Sequence, residues 1–119
     1  MYNYVHLIGR LTANPEVQET ESGHKICRMS LAVQRSYKNA DGVYETDFIN
    51  TVLWQGVAER TAEFCRKGDL VSIRGQLRNN NYEKDEGTKV YSTEVIVEKI
   101  SFLSSRSKDF EEVEPAPEI

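Results

Sequence analysis

The stretch Asp47–Tyr82 falls into three pieces, DFINTVLWQG, VAERTAEFCRKG and DLVSIRGQLRNNNY. In the first, Phe48, Asn50, Val52 and Trp54 share one parity and Asp47, Ile49, Thr51 and Leu53 the other, so an extended chain sorts them onto opposite faces. In the second, Val57, Ala58, Thr61, Ala62 and Cys65 recur at helical spacing. Arg66 and Lys67 follow as cations suited to a helix C-terminus, and Gly68 offers a left-handed stop. In the third, Val71, Ile73, Gly75 and Leu77 alternate with Ser72, Arg74, Gln76 and Arg78, the pattern of a strand with one wet face. The order is strand, one short helix, strand.

On the N-terminal side, Tyr2–Leu11 reads as a strand with Val5, Leu7 and Leu11 on one face and Tyr4, His6, Ile8 and Arg10 on the other. Apolar groups on both faces imply burial on both sides, in part by another subunit. Gly9 in mid-strand marks a close backbone approach of the kind barrel closure needs. Residues 12–23 are polar and turn-rich. His24–Tyr37 forms the second strand, with Cys27, Met29, Leu31 and Val33 inward and Arg28, Ser30, Ala32 and Gln34 outward. Asp41-Gly42 then turns the chain into the third strand. On the C-terminal side, residues 79–89 read as a charged hairpin tip turning at Glu86-Gly87. Val90–Leu103 is a long β-branched strand whose alternation slips, as a bulge would make it. The expected fold is all-β: a five-stranded Greek-key OB-fold barrel with one short helix between strands 3 and 4, over residues 1–103. A small barrel or sandwich of another topology shares the same pattern. Residues 104–119, rich in charge and proline and poor in large apolar groups, read as a short disordered acidic tail.

The net charge of −4 is unusual for a nucleic-acid binder. However, the tail holds Arg106 and Lys108 against Asp109, Glu111, Glu112, Glu114 and Glu118, which leaves the domain near neutrality and compatible with a local basic groove. No apolar run is long enough to span a membrane, and the start is too polar for a signal peptide, so the expected location is the cytoplasm. Cys27 and Cys65 lack the number and spacing of a disulfide framework or metal site and are expected as reduced packing residues. His6 and His24 are isolated, so no metal and no cofactor is expected. Asp47, Asp69 and Glu94 read as solvated carboxylates. With no catalytic motif present, an enzyme is not expected.

The aromatic residues carry more information. Tyr37 closes the second strand, Phe48 and Trp54 share a face of the third with Asn50 between them, and Tyr82 stands at the root of the last hairpin. Burial in the core is the ordinary fate of such side chains. Here the opposite parity already supplies an interior face, which leaves Phe48 and Trp54 for a groove where unpaired bases stack at about 1–3 kcal/mol each. Arg28, Arg35, Lys38, Arg74, Arg78, Lys84 and Lys89 are candidates for phosphate contacts.

The blocks YVHLIGRLTANPEV, SLAVQRSY, DFINTVLWQGVAE, CRKGDLVSIRGQLRNNNY and VYSTEVIVEKISFL together resemble the bacterial single-stranded DNA-binding protein family, in register from Met1 to about Leu103. The resemblance implies an OB-fold homotetramer, without enzymatic activity, that wraps single-stranded DNA irrespective of sequence in replication, recombination and repair. It places the stacking positions on Tyr37, Phe48, Trp54 and Tyr82. It also implies that the first strand, through Tyr4, Val5, His6 and Ile8, pairs with its counterpart in a second subunit. The family's acidic tip recruits replication and repair proteins; here Glu111, Glu112, Glu114, Glu118 and Ile119 stand in that place. The long Gly- and Gln-rich linker is reduced to about Ser104–Lys108, and the family's aromatic end is replaced by Ile119. Two other readings use the same fold: a protein-interaction module of replication restart, which would lack the groove aromatics, and an RNA chaperone.

Overall fold

Alternation at period two builds most of this molecule, and its strands bend around one apolar interior. A computed structural model describes residues 1–105, apart from the side chains of Tyr82 and Lys84. The tail residues Glu111, Glu112, Glu114, Glu118 and Ile119 lie outside the described residues. The elements are β1 (Val5–Leu11), β2 (Gln18–Glu19), β3 (Lys25–Lys38), β4 (Tyr44–Trp54), α1 (Gln55–Phe64), β5 (Leu70–Asn79), β6 (Tyr82–Asp85), β7 (Thr88–Val90) and β8 (Thr93–Ser104).

The sheet runs β1-β5-β8-β4-β3-β2 and closes through a β1–β3 pairing, so β1, β3, β4, β8 and β5 form a five-stranded barrel. β4 and β8 pair in parallel at Thr51↔Val95 and Val52↔Ile96, while the other barrel pairings are antiparallel. This order, with α1 between the third and fourth barrel strands, is that of an OB-fold. Closure depends on Gly9: a Cβ there would overlap the Ala32 carbonyl oxygen of β3, beside the Arg10↔Ala32 pairing. The core is built from the inward parity of each strand, with Leu11, Cys27, Leu31, Leu53, Val71, Ile73, Val95 and Val97 joined by Ala58 of α1 and by Cys65.

Several local expectations need correction. α1 ends without a left-handed cap. Cys65 is extended (φ −113°, ψ 151°) and its amide donates to the Thr61 carbonyl. Arg66 lies beyond the helix, and its guanidinium donates back to the Ala62 and Cys65 carbonyls at 3.0 and 2.7 Å. Gly68, at φ 91°, serves instead the turn that leads into β5. Asp69 is not solvated; it is 6% exposed and accepts the Arg66 amide at 2.8 Å. Leu77 is 49% exposed, beyond Gly75, where the pairing of β5 with β1 ends. The long last strand is divided: Val90 belongs to the β6–β7 hairpin, and the barrel strand starts at Thr93.

Cys27 and Cys65 are free thiols, 0% and 4% exposed, and burial raises both pKa values. A disulfide reagent at pH 8 should modify the native chain far more slowly than free cysteine, and both thiols promptly in denaturant. Rapid reaction of the native chain would show that the barrel opens more readily than its packing implies.

Candidate nucleic-acid interface

The antiparallel register of β3 and β4 decides which side chains share a surface. Ile26↔Trp54, Arg28↔Val52, Ser30↔Asn50 and Ala32↔Phe48 stand directly opposite one another, on the parity that points away from the barrel core. Phe48 is 66% exposed with a small Ala32 beside it, Asn50 is exposed, and Trp54 is half-buried over Ile26. Phe48 and Trp54 lie six residues apart on one strand, about 20 Å at the rise of an extended chain. This face therefore offers two separate aromatic platforms, with an amide between them.

Val52 lies on the same face yet is 1% exposed. Arg28 explains this: from β3 it reaches across β4 at Val52 to Glu94 on β8, its Nη1 donating to Oε1 at 3.1 Å. Arg78 of β5 donates to Glu94 Oε2, also at 3.1 Å, and the Asn80 amide reaches Oε1 at 3.5 Å. The carboxylate itself is 3% exposed, whereas the Arg28 and Arg78 side chains are 57% and 51% exposed. Glu94 is thus a buried anchor for two half-exposed guanidiniums rather than the solvated charge its sequence position implied. Such a carboxylate is tolerated only while it is hydrogen-bonded. Arg28→Ala should lower stability by about 1–3 kcal/mol in urea unfolding. Unchanged stability would mean that water satisfies Glu94. Arg28, Met29, Asn50, Thr51, Asn80, Ser92 and Glu94 line a cleft of about 330 Å³ where β4 and β8 diverge.

The other sequence-selected cations divide among different surfaces. Arg35 makes a two-pronged pair with Asp47, with both nitrogen–oxygen distances 3.0 Å, and a further 3.1 Å contact to Glu45. That places it on the parity of Asp47, the reverse of the Phe48 face. The hydrogen bond from Arg35 holds the Asp47 carboxyl below its usual range and keeps the guanidinium charged. Because the folded value is the depressed one, this pairing favours the fold above the ordinary aspartate range and is lost as pH falls through the folded value. Lys38 lies over the Tyr44 ring at 5.6 Å, beyond a register shift in β3, and Tyr37 beside it is 63% exposed. Lys89 is exposed on β7, opposite Glu83. Tyr82 and Lys84 belong to β6, but their side chains lie outside the described residues.

Arg74 joins a third surface. It is opposite His6 on β1 and Lys99 on β8, and the three line a concavity of about 140 Å³ with Tyr4, Ser72 and Ser101. His6 Nε2 lies 2.7 Å from Ser72 Oγ. Of the residues assigned to subunit pairing, Tyr4, His6 and Ile8 are exposed, whereas Val5 packs against the core. β1 pairs with β5 over Val5–Arg10 and with β3 only at Arg10 and Leu11. Among the described residues, Val5–Gly9 therefore has one unpaired strand edge.

The structure brings Arg28, Asn50, Phe48, Trp54 and Arg78 to one continuous region and places Arg35 and Arg74 elsewhere. It adds Glu94, which sequence reasoning missed because its arginines are 66 and 16 residues away in the chain. It also adds His24 and Gln55 at the edge of Trp54, for which no local motif existed. Among the described residues, no group of His, Cys, Asp or Glu is placed to hold a metal ion, and no helix is long and apolar enough to cross a membrane. The arrangement suits stacking and charge-assisted hydrogen bonding.

Residues 2–103 match the model of the single-strand binding protein family. The chain is 41% identical over 109 residues to single-stranded DNA-binding protein B of Bacillus subtilis, covering 92% of this chain and 96% of that one. It is 45% identical over 105 residues to single-stranded DNA-binding protein 1 of Lactococcus lactis, covering 88% of this chain and 70% of the relative. With the single-stranded DNA-binding protein of Lactiplantibacillus plantarum the identity is 44%, over 91% of this chain and 54% of that protein.

Proposed function

Because the chain belongs to the single-strand binding protein family, we propose that it binds single-stranded DNA without sequence preference, as a non-enzymatic protector of exposed strands in replication, recombination and repair. The observation that carries this reading is the outward pair Phe48 and Trp54, two aromatic platforms on one strand of an OB barrel. Every base has a face to stack, so such platforms bind irrespective of sequence. Arg28 and Arg78 supply guanidiniums for phosphate, fixed at one end by Glu94 and open at the other. Tyr37, Tyr82, Lys38, Lys84 and Lys89 are assigned to the same binding track. The work is assigned to the cytoplasm and the nucleoid.

The test is a titration with labelled oligo(dT), oligo(rU) and duplex DNA. Tight binding to oligo(dT) and weak binding to duplex is expected, since paired bases hide their faces. Affinity should fall with salt on a shallow slope, because stacking carries much of the binding and phosphate neutralisation the rest. Equal affinity for duplex, or a clear preference for oligo(rU), would overturn the assignment.

Assembly as a homotetramer is part of the same proposal. The unpaired β1 edge and the exposed Tyr4 and Ile8 support a subunit contact there, which would also protect the edge. Ile8→Glu should dissociate the assembly towards the 13.6 kDa chain mass in light scattering, with the barrel intact because Ile8 points away from the core. A wild-type chain already at that mass at micromolar concentration would remove the assembly from the proposal. The acidic tail, Asp109–Ile119, is assigned to weak docking of replication and repair proteins.

A further inference from the structure

Gln55 is the only described residue other than glycine with a positive φ, at 52°. It opens α1 and directly follows Trp54, which is extended at φ −121° and ψ 145°. A side chain in the left-handed region is strained, and such strain persists only where surrounding contacts hold it. The contacts are visible here. Gln55 Nε2 donates to His24 Nδ1 at 2.8 Å, and Gln55 Oε1 accepts the Lys25 amide at 3.4 Å. His24 is itself fixed at the β2–β3 turn: its amide donates to Thr20 Oγ1 at 3.1 Å and its carbonyl accepts the Thr20 amide at 2.8 Å. The His24 ring meets Trp54 edge-on, with centroids 6.4 Å apart and planes at 77°.

We propose that Gln55 and His24 form a latch that fixes the Trp54 indole in the orientation in which a nucleobase stacks on it, making both positioning residues for nucleic-acid binding. The inference rests on Trp54 being a base platform. Its physical content is preorganisation. Ile26 stands opposite Trp54 on β3, the His24 ring meets the indole at its edge, and Gln55 holds His24 in place. The strained backbone at Gln55 turns its amide back towards the β2–β3 turn rather than along the helix. An immobile platform loses less freedom when a base docks.

The latch separates two quantities that a purely structural residue would move together. Gln55→Gly adopts the positive φ without strain and removes the latch, so the variant should melt no lower than wild type. It should nevertheless bind oligo(dT) about 5–10-fold more weakly, the low end of what a lost stacking platform costs. His24→Ala should weaken binding to a similar extent, and the double variant no further, because the two act as one unit. Trp54 is the sole tryptophan, so its fluorescence lifetimes read its orientations directly. Free Gln55→Gly should show a broader lifetime distribution than free wild type. Oligo(dT) affinities within twofold of wild type, additive effects in the double variant, or a melting temperature that falls together with affinity would each overturn the latch. If wild type itself failed to bind oligo(dT), the single-strand reading would fall, while the lifetimes measured without nucleic acid would still decide whether the latch orders Trp54.

Discussion

Gly75→Val is expected to unfold the barrel. Gly75 lies where the β5–β8 register shifts, and it is also the partner of Val5 on β1, so two strand pairings meet there. A Cβ at this position would overlap the Ile96 carbonyl oxygen and stand 2.9 Å from its carbon and 3.1 Å from Val97 Cα. These are backbone atoms of the neighbouring barrel strand, so no side-chain rotation relieves the overlap. Only displacement of β8 can do so, and β8 carries Val95, Val97 and the Glu94 anchor. Forcing extra volume into packed structure ordinarily costs about 1–3 kcal/mol. The backbone overlap places this variant at or beyond the top of that range, a large fraction of the roughly 5–15 kcal/mol that holds a domain together. Urea unfolding measures it directly. Stability within about 1 kcal/mol of wild type would show that β5 and β8 are not in this close approach.

The second large effect is on binding. Phe48→Ala with Trp54→Ala removes both platforms of the β4 face. They are about 20 Å apart and contact different partners, so their contributions should add. At about 1–3 kcal/mol per stacked base, the double variant should bind oligo(dT) about 30-fold to more than 10⁴-fold more weakly. Stability should respond unevenly. Phe48, at 66% exposure, has little packing to lose, while Trp54 covers Ile26, which is only 8% exposed. Phe48→Ala should therefore leave the melting temperature nearly unchanged. If it collapses the fold, Phe48 is a packing residue in the assembled protein. If the folded double variant binds as wild type does, nucleic acid follows another surface, with the Arg74–His6–Lys99 row of the β1–β5–β8 face the first to examine.

Features set by parity and by local turn chemistry are legible in the sequence. The outward position of Phe48, Asn50 and Trp54 follows from alternation once Ile49, Thr51 and Leu53 are given the interior. Gly9 could be read as a point of close approach because a glycine in an apolar strand has few other uses. The helix was legible from spacing, but not its end: Cys65 leaves the helix in extended form, and Arg66 caps it by reaching backwards. What parity cannot supply is register between distant strands. Glu94 looked like a surface carboxylate because nothing nearby in the chain reveals its partners, which lie 66 and 16 residues away. The parallel β4–β8 pairing brings Glu94 within reach of Arg28, and β5–β8 sets Arg78 opposite it. The same limit explains Arg35 and Arg74, basic residues on barrel strands whose faces only pairing assigns. Val52, hidden beneath the Arg28 side chain, shows that a wet face can still bury an apolar residue when a long side chain crosses it.

If unpaired bases stack on the β4 face beside Trp54, the emission of that single tryptophan reports the contact. Oligo(dT) added to the full chain at low salt should quench Trp54 strongly and saturably, whereas duplex DNA at the same nucleotide concentration should leave it nearly unchanged. Unchanged emission at saturating oligo(dT), with binding confirmed by the anisotropy of a labelled strand, would rule out that contact and place the strand on another surface.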